Sequence, residues 1–157
     1  MNIELIVVGK TDMKEVEALV TMYTNRINHY VKFAITTLAD VRNTRKLSEA
    51  EQKRLEGEQI LKLINDSDHL MLLDEHGAEL RSIEFADMLQ RRMSAGTKRL
   101  VFVIGGPYGF SEEVYARANH KISLSPMTFS HQIVRAIFAE QIYRAFTILG
   151  NEPYHHE

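Results

Sequence analysis

Cysteine is missing altogether from the 157 residues. That excludes disulfides and thiolate metal sites and fits a reducing compartment, the cytoplasm by expectation. No apolar run approaches the length needed to cross a bilayer, so neither a transmembrane helix nor a membrane partner is expected. The opening MNIELIVVGK carries Glu4 and only a short apolar stretch, unlike a secretory leader. A strong charge of either sign is missing too. Lys and Arg number 19 against 21 Asp and Glu, a formal net charge of −2, which argues against gripping naked nucleic acid by charge alone. There is no internal repeat, low-complexity segment or linker. What is present is the balance of an ordinary globular chain, 45% hydrophobic and 25% charged, long enough for one domain over 1–157 with a real core.

Along that chain, strand and helix patterns alternate. IELIVV (3–8) reads as a strand, and apolar residues at helical spacing (Val16, Leu19, Val20, Tyr23, Ile27) predict a helix over about 13–30. FAITTL (33–38) is a second strand. The polar stretch 39–54 follows, the best candidate for a mobile loop. It carries Arg42, Arg45, Lys46, Lys53 and Arg54 against Asp40, Glu49 and Glu51, and reads either as a solvated face or as an RNA-facing patch. Ser48 and Glu51 make a capping box for the next helix. HLMLLD (69–74), RLVFVI (99–104) and KISLS (121–125) complete the strands. Ser82 is placed to cap a helix through Met93, and the last helix runs from about Ser130 to Leu149, with Gly150 to end it. The alternation predicts an α/β fold with a largely parallel sheet and flanking helices. LMLL and LVFVI are apolar without alternation, as strands covered on both faces are.

Ligands of such sheets collect beyond the carboxyl ends of the strands. Three of those ends are chemically unusual: DEHGAEL (74–80), GGPYGF (105–110) and SPMTFSH (125–131). The glycine turn is no Walker loop, since no Lys-Ser or Lys-Thr opens its helix. It is no dinucleotide fingerprint either, because Gly105, Gly106 and Gly109 are wrongly spaced and Pro107 lacks an amide hydrogen. It suits close approach to an uncharged or zwitterionic group, or else it is only a tight strand-to-helix connection. Before the last helix, Thr128 and Ser130 offer side chains to a ligand. That helix is apolar over a wide arc, from Ile133 to Leu149. This predicts burial against its own sheet and a second subunit, or a central place in a monomer's core.

Three long stretches, FVIGGPYGF, LSPMTFSHQIVRAIFAEQIYRA and the closing EPYH, together with the opening IELIVVGK, carry a resemblance across essentially the whole chain. The sequence resembles the RlmH-type ribosomal large-subunit pseudouridine methyltransferases, small bacterial members of the SPOUT class. The resemblance implies a C-terminal deep trefoil knot, a homodimer, and S-adenosylmethionine as methyl donor. It places the cofactor contacts on Leu73, Gly105, Leu124, Ser125, Pro126, Met127, Thr128 and Phe129. The implied reaction is methyl transfer to N3 of a pseudouridine in 23S rRNA, on a stem-loop at the ribosomal subunit interface. No metal is needed, because the sulfonium already makes the methyl group electrophilic. Tyr154 and His155 are the candidate proton handlers, with His131 either a lesser one or a capping residue. Arg135 and Arg144 are candidates for phosphate or cofactor-carboxylate contacts, or else for ion pairs. The tail departs from the family at His156, where a basic Arg or Lys is the pattern. An imidazole there weakens a phosphate contact and makes docking on an assembled ribosome the expected mode. The alternatives from other classes are a non-catalytic nucleotide-binding or flavodoxin-like module and a ribosome-associated interaction protein.

Overall fold

The computed structural model describes residues 1–42 and 44–156. Asn43, inside the polar 39–54 stretch, and Glu157, the end of the tail, lie outside the described residues. Five strands, β1 (Asn2–Val8), β2 (Lys32–Leu38), β3 (His69–Glu79), β4 (Arg99–Ile104) and β5 (His120–Ser123), form one sheet in the order β2-β1-β4-β3-β5. Every neighbouring pair is parallel. The helices are α1 (Lys14–Ile27), α2 (Glu49–Lys62), α3 (Ser82–Ser94), α4 (Glu112–Arg117) and α5 (Ile133–Leu149).

Both sheet faces are covered, which is why β3 and β4 read as unbroken apolar runs. In β4, Leu100, Phe102 and Ile104 turn to one side, where they meet Phe85 of α3 and Phe138 and Ile142 of α5. Val101 and Val103 turn to the other, against Ile60 of α2, Val114 of α4 and Phe110 of the turn before it. The Phe102 and Phe138 rings meet edge to face at 4.9 Å. Removing either ring would cost about 3–5 kcal/mol by transfer and cavity together.

Several predicted boundaries shift, each for a local reason. α1 stops at Ile27 rather than Tyr30, because the Asn28 amide turns back to the Thr24 carbonyl (2.9 Å) and across to both backbone groups of Phe33 (3.0 Å each). Ser82 is the first helical residue of α3, not its cap. The cap is Arg81, whose N–H donates to the Glu84 carboxylate at 2.7 Å. Ser48 does cap α2, accepting from the Glu51 N–H at 3.2 Å. The 39–54 stretch holds a short 3-10 turn, Thr44–Lys46, and the start of α2. β5 ends at Ser123, and α5 begins at Ile133 because Ser130 Oγ takes the Ile133 N–H (3.2 Å) ahead of the helix.

The wide apolar arc of α5 is largely met within the chain. α5 lies on the sheet between α1 and α3, with Phe138, Ile142 and Phe146 in the core. One side of the arc is thus core, while Ile133 stays exposed and Ile137 and Leu149 are only partly buried.

Candidate cofactor cleft and C-terminal tail

Three loops at the carboxyl ends of β3, β4 and β5 enclose a cleft of about 700 Å³, a size that suits a small-molecule ligand. Each loop is shaped by a different device. In β3, Leu73 and Ala78 both pair with Ile122 of β5, so residues 74–77 bulge out of the sheet. Gly77 sits at the root of the bulge, where a Cβ would come within 2.6 Å of the Ile122 backbone. The bulge sets Asp74 at the cleft, where its carboxylate accepts from the Tyr115 hydroxyl. Burial and this bond push the Tyr115 phenol up to about 12.

The glycine turn after β4 closes tightly. The Gly109 N–H donates to the Gly106 carbonyl at 3.2 Å, and Gly109 has φ of +82°, a left-handed conformation that glycine adopts freely. The other glycines answer to neighbours. A Cβ at Gly105 would lie 3.0 Å from the Phe110 ring, and one at Gly106 would lie 2.5 Å from Glu56 Oε2. Glu56 is 4% exposed, and burial raises the pKa of its carboxyl. The turn is thus packed from below by α2 and open only towards the cleft.

The third loop, 124–132, is pinned at both ends. Met127 N–H donates to Ser125 Oγ (2.9 Å), and Ser123 Oγ donates to the Ser125 carbonyl (3.0 Å). At the far end Gln132 ties it to the β1–α1 connection. Its amide donates to the Lys10 carbonyl (3.0 Å) and accepts from the Asp12 N–H (2.8 Å). Between these anchors Met127 is 77% exposed and Phe129 37%.

Leu73, Gly105, Leu124, Ser125, Met127, Thr128, Phe129 and His131 all line this cleft, and Pro126 lies in the same loop. Asp74, Tyr108 and Tyr115 line it too and escaped sequence reasoning. Their only signal was a polar bulge and two tyrosines near a glycine turn. His131 precedes the cap of α5, which is Gln132, so it is a loop residue rather than a capping one.

Arg135 is corrected from a ligand contact to a brace. It is 1% exposed. Its Nη2 donates to the Val8 carbonyl (2.8 Å), Nη1 to the Gly9 carbonyl and Thr11 Oγ1 (2.9 Å each), and Nε to the His131 carbonyl (2.9 Å). Four of its N–H donors are spent inside the chain. Burial lowers its pKa, opposed by the charges of Asp12 and Asp40.

The remaining candidates sit at the opposite end of α5. Arg144 Nη2 donates to Glu140 Oε1 at 2.6 Å, and its guanidinium lies 4.9 Å from the centre of the Tyr154 ring. The Tyr154 hydroxyl donates to the same Glu140 oxygen at 3.0 Å. Burial, ahead of hydrogen bonds, raises the Tyr154 phenol above its ordinary value. Arg144 Nη1 is 3.2 Å from His155 Nδ1. A guanidinium only donates, so Nδ1 is the acceptor and Nε2 carries the hydrogen of the neutral ring. Glu152 accepts from the Tyr30 hydroxyl at 2.7 Å. The tail is therefore docked on α5 and on the connection between α1 and β2. Tyr154 thus folds back beside Glu140, so the tail lies along the carboxyl half of α5, while the cleft lies at the helix's amino end.

Among the described residues, no group of three or more His, Asp or Glu side chains is arranged to hold a metal ion, and no helix is long and apolar enough to cross a membrane.

A parallel sheet whose last helix follows a looped cleft at the strand ends is the architecture of a methyltransferase of the α/β-knot kind. The family model described as "Predicted SPOUT methyltransferase" matches residues 1–155. The chain belongs to the SPOUT methyltransferases, and membership implies that its C-terminal segment runs through the family's knot. Relatives are similar over their full length. The ribosomal RNA large subunit methyltransferase H of Christiangramia forsetii is 58% identical over 99% of both chains. Those of Flavobacterium psychrophilum and Parabacteroides distasonis are each 56% identical over 100% of both.

Proposed function

We propose that this chain, acting as one catalytic domain, transfers a methyl group from S-adenosylmethionine to N3 of a pseudouridine in 23S rRNA of the ribosome. The observation that carries the reading is the cleft itself, three pinned loops around exposed Met127 and Phe129, in a chain that shares its full length with large-subunit rRNA methyltransferases. Its residues fit the cofactor: Leu73, Leu124 and Phe129 would give an apolar slot, the backbone around Gly105 lines the cleft, and Asp74 would supply a carboxylate to a cationic ligand. When bound, S-adenosylmethionine supplies an electrophilic methyl group.

The protein's own tasks are alignment and removal of the N3 proton. Tyr154 stays phenolic in its contact with Glu140 and serves as a hydrogen-bond donor. His155 is the proton acceptor, once Nδ1 is released from Arg144. Arg144, ion-paired with Glu140, would take an RNA phosphate by exchanging that partner. The wide apolar arc of α5, on which Ile133 stays exposed, is the reason to expect a homodimer, and light scattering together with activity checks it.

Incubation with labelled S-adenosylmethionine and ribosomes lacking the modification, followed by mass spectrometry of the rRNA, tests the reaction. Label on N3 of a 23S pseudouridine is the expected result, and none on rRNA would overturn it. Calorimetry should find cofactor affinity in the low micromolar range or weaker, about −8 kcal/mol or less favourable.

A further inference from the structure

A second groove, of about 830 Å³, opens at the same end of the sheet, between α1 and the edge strand β2. It takes no part in the cofactor cleft. Its walls are rich in neutral hydrogen-bonding groups: Thr11, Thr21, Thr24, Asn25 and Thr37, with Lys10 at the end of β1. Thr24 Oγ1 is buried there and has no hydrogen-bond partner. Such a group calls for an acceptor or donor from elsewhere.

At Asp40 the chain leaves this groove and enters the basic stretch. Arg42, Arg45 and Lys46 are all exposed, and none has an ion pair among the described residues. Arg54, further on, is paired with Glu58 at 2.5 Å. In a chain of net charge −2, three such cations within five positions are a local concentration with no ion-pair partner among the described residues.

We infer that Arg42, Arg45 and Lys46 and the α1–β2 groove form an RNA-binding surface, the three cations taking backbone phosphates and the groove an unpaired nucleotide. This rests on the proposed rRNA substrate and gives that reading a grip separate from the reacting base. The groove also contains Glu17 and Asp40. An acidic peptide would set its carboxylates against both. RNA keeps its phosphates at the three cations, while ribose hydroxyls and base amino groups donate to the carboxylates.

The test compares the full-length wild type with the triple variant R42E/R45E/K46E and with Thr24→Val, using naked 23S rRNA and unmodified ribosomes over a series of salt concentrations. Calorimetry with S-adenosylmethionine controls for the fold and should be unchanged. For the triple variant, rRNA affinity should fall at least about 10-fold near 0.1 M salt. The slope of log affinity against log salt should shrink by about 2 to 3, one phosphate contact per lost cation. KM for ribosomes should rise with kcat kept. Thr24→Val should weaken rRNA binding several-fold without changing the salt slope. An unchanged slope and KM in the triple variant overturns the inference. A loss on ribosomes with naked rRNA binding intact also overturns it, and assigns the three cations to a ribosomal protein. Failure of the wild type to methylate ribosomes would sink the proposed reaction instead, and leaves the RNA-binding comparison readable.

Discussion

At its amino end α5 is built into the molecule; at its carboxyl end it is merely attached. The amino end is fixed by Arg135, whose donors meet carbonyls of β1 and of the 124–132 loop, and by Gln132 on the β1–α1 connection. The carboxyl end holds the tail by side chains alone apart from the turn at 150–154: Tyr30 to Glu152, Tyr154 to Glu140, Arg144 to His155. A brace of buried carbonyl contacts keeps one geometry, which a cofactor cleft needs. Contacts between partly exposed side chains exchange readily for others.

Breaking the braced end should have the largest effect. Arg135→Met would leave the Val8 and Gly9 carbonyls buried without their donor and release the His131 carbonyl. Unfolding free energy should then drop by about 3 kcal/mol or more, read by chemical denaturation, with cofactor binding lost as the loop detaches. An unchanged midpoint would remove the distinction between the two ends.

At the loose end, deleting the last four residues should leave stability and cofactor affinity intact. Methyl transfer to ribosomes should fall by at least about 100-fold, the scale of losing a positioned proton acceptor. His155→Ala should reproduce most of that loss and Tyr154→Phe less of it. Wild-type turnover by the truncated enzyme would reduce the tail to a terminus.

A smaller change sharpens the view of the cleft. Gly105→Val points its side chain at the Phe110 ring, 3.0 Å from where the Cβ would lie. Cofactor affinity should fall about 10-fold or more through displacement of the turn. Calorimetry checks this, and wild-type affinity would show that the turn yields without consequence.

The smallest effect lies far from both ends of α5. Burial, then the charges of Arg92, His120 and Arg117, push His69 down from 6.5 to about 4. The native state refuses a proton that the unfolded chain accepts, so this contribution is whole above about pH 6.5. It is lost as the pH falls towards 4. His69→Gln should flatten that segment of the melting-temperature profile and leave activity at neutral pH alone. A profile superimposable on the wild type would discount the imidazole.

The strands were legible because each is an apolar run between polar breaks, and Leu73, Gly105 and the 124–129 loop followed from where those runs stop. The family motifs then assigned them a ligand. What stayed hidden depends on partners distant in sequence. Asp74 enters the cleft only because β5 pairs with both Leu73 and Ala78. The start of α5 falls at Ile133 rather than Ser130 because the Ser130 hydroxyl satisfies an amide ahead of the helix. Arg135 is a long cation on a helix, a pattern that reads as surface. Only the arrival of β1 beneath it makes it core.

That bond also sets an order in time. Arg135 meets the carbonyls of Val8 and Gly9 across 127 and 126 positions of chain. During synthesis those carbonyls wait roughly ten seconds for their donor at common elongation speeds. β1 and β4, likewise far apart in sequence, lie side by side at the centre of the sheet. Contacts of such range close late and slowly. The cleft is thus among the last features to mature, and a nascent chain holds no methyl donor until its final helix has emerged.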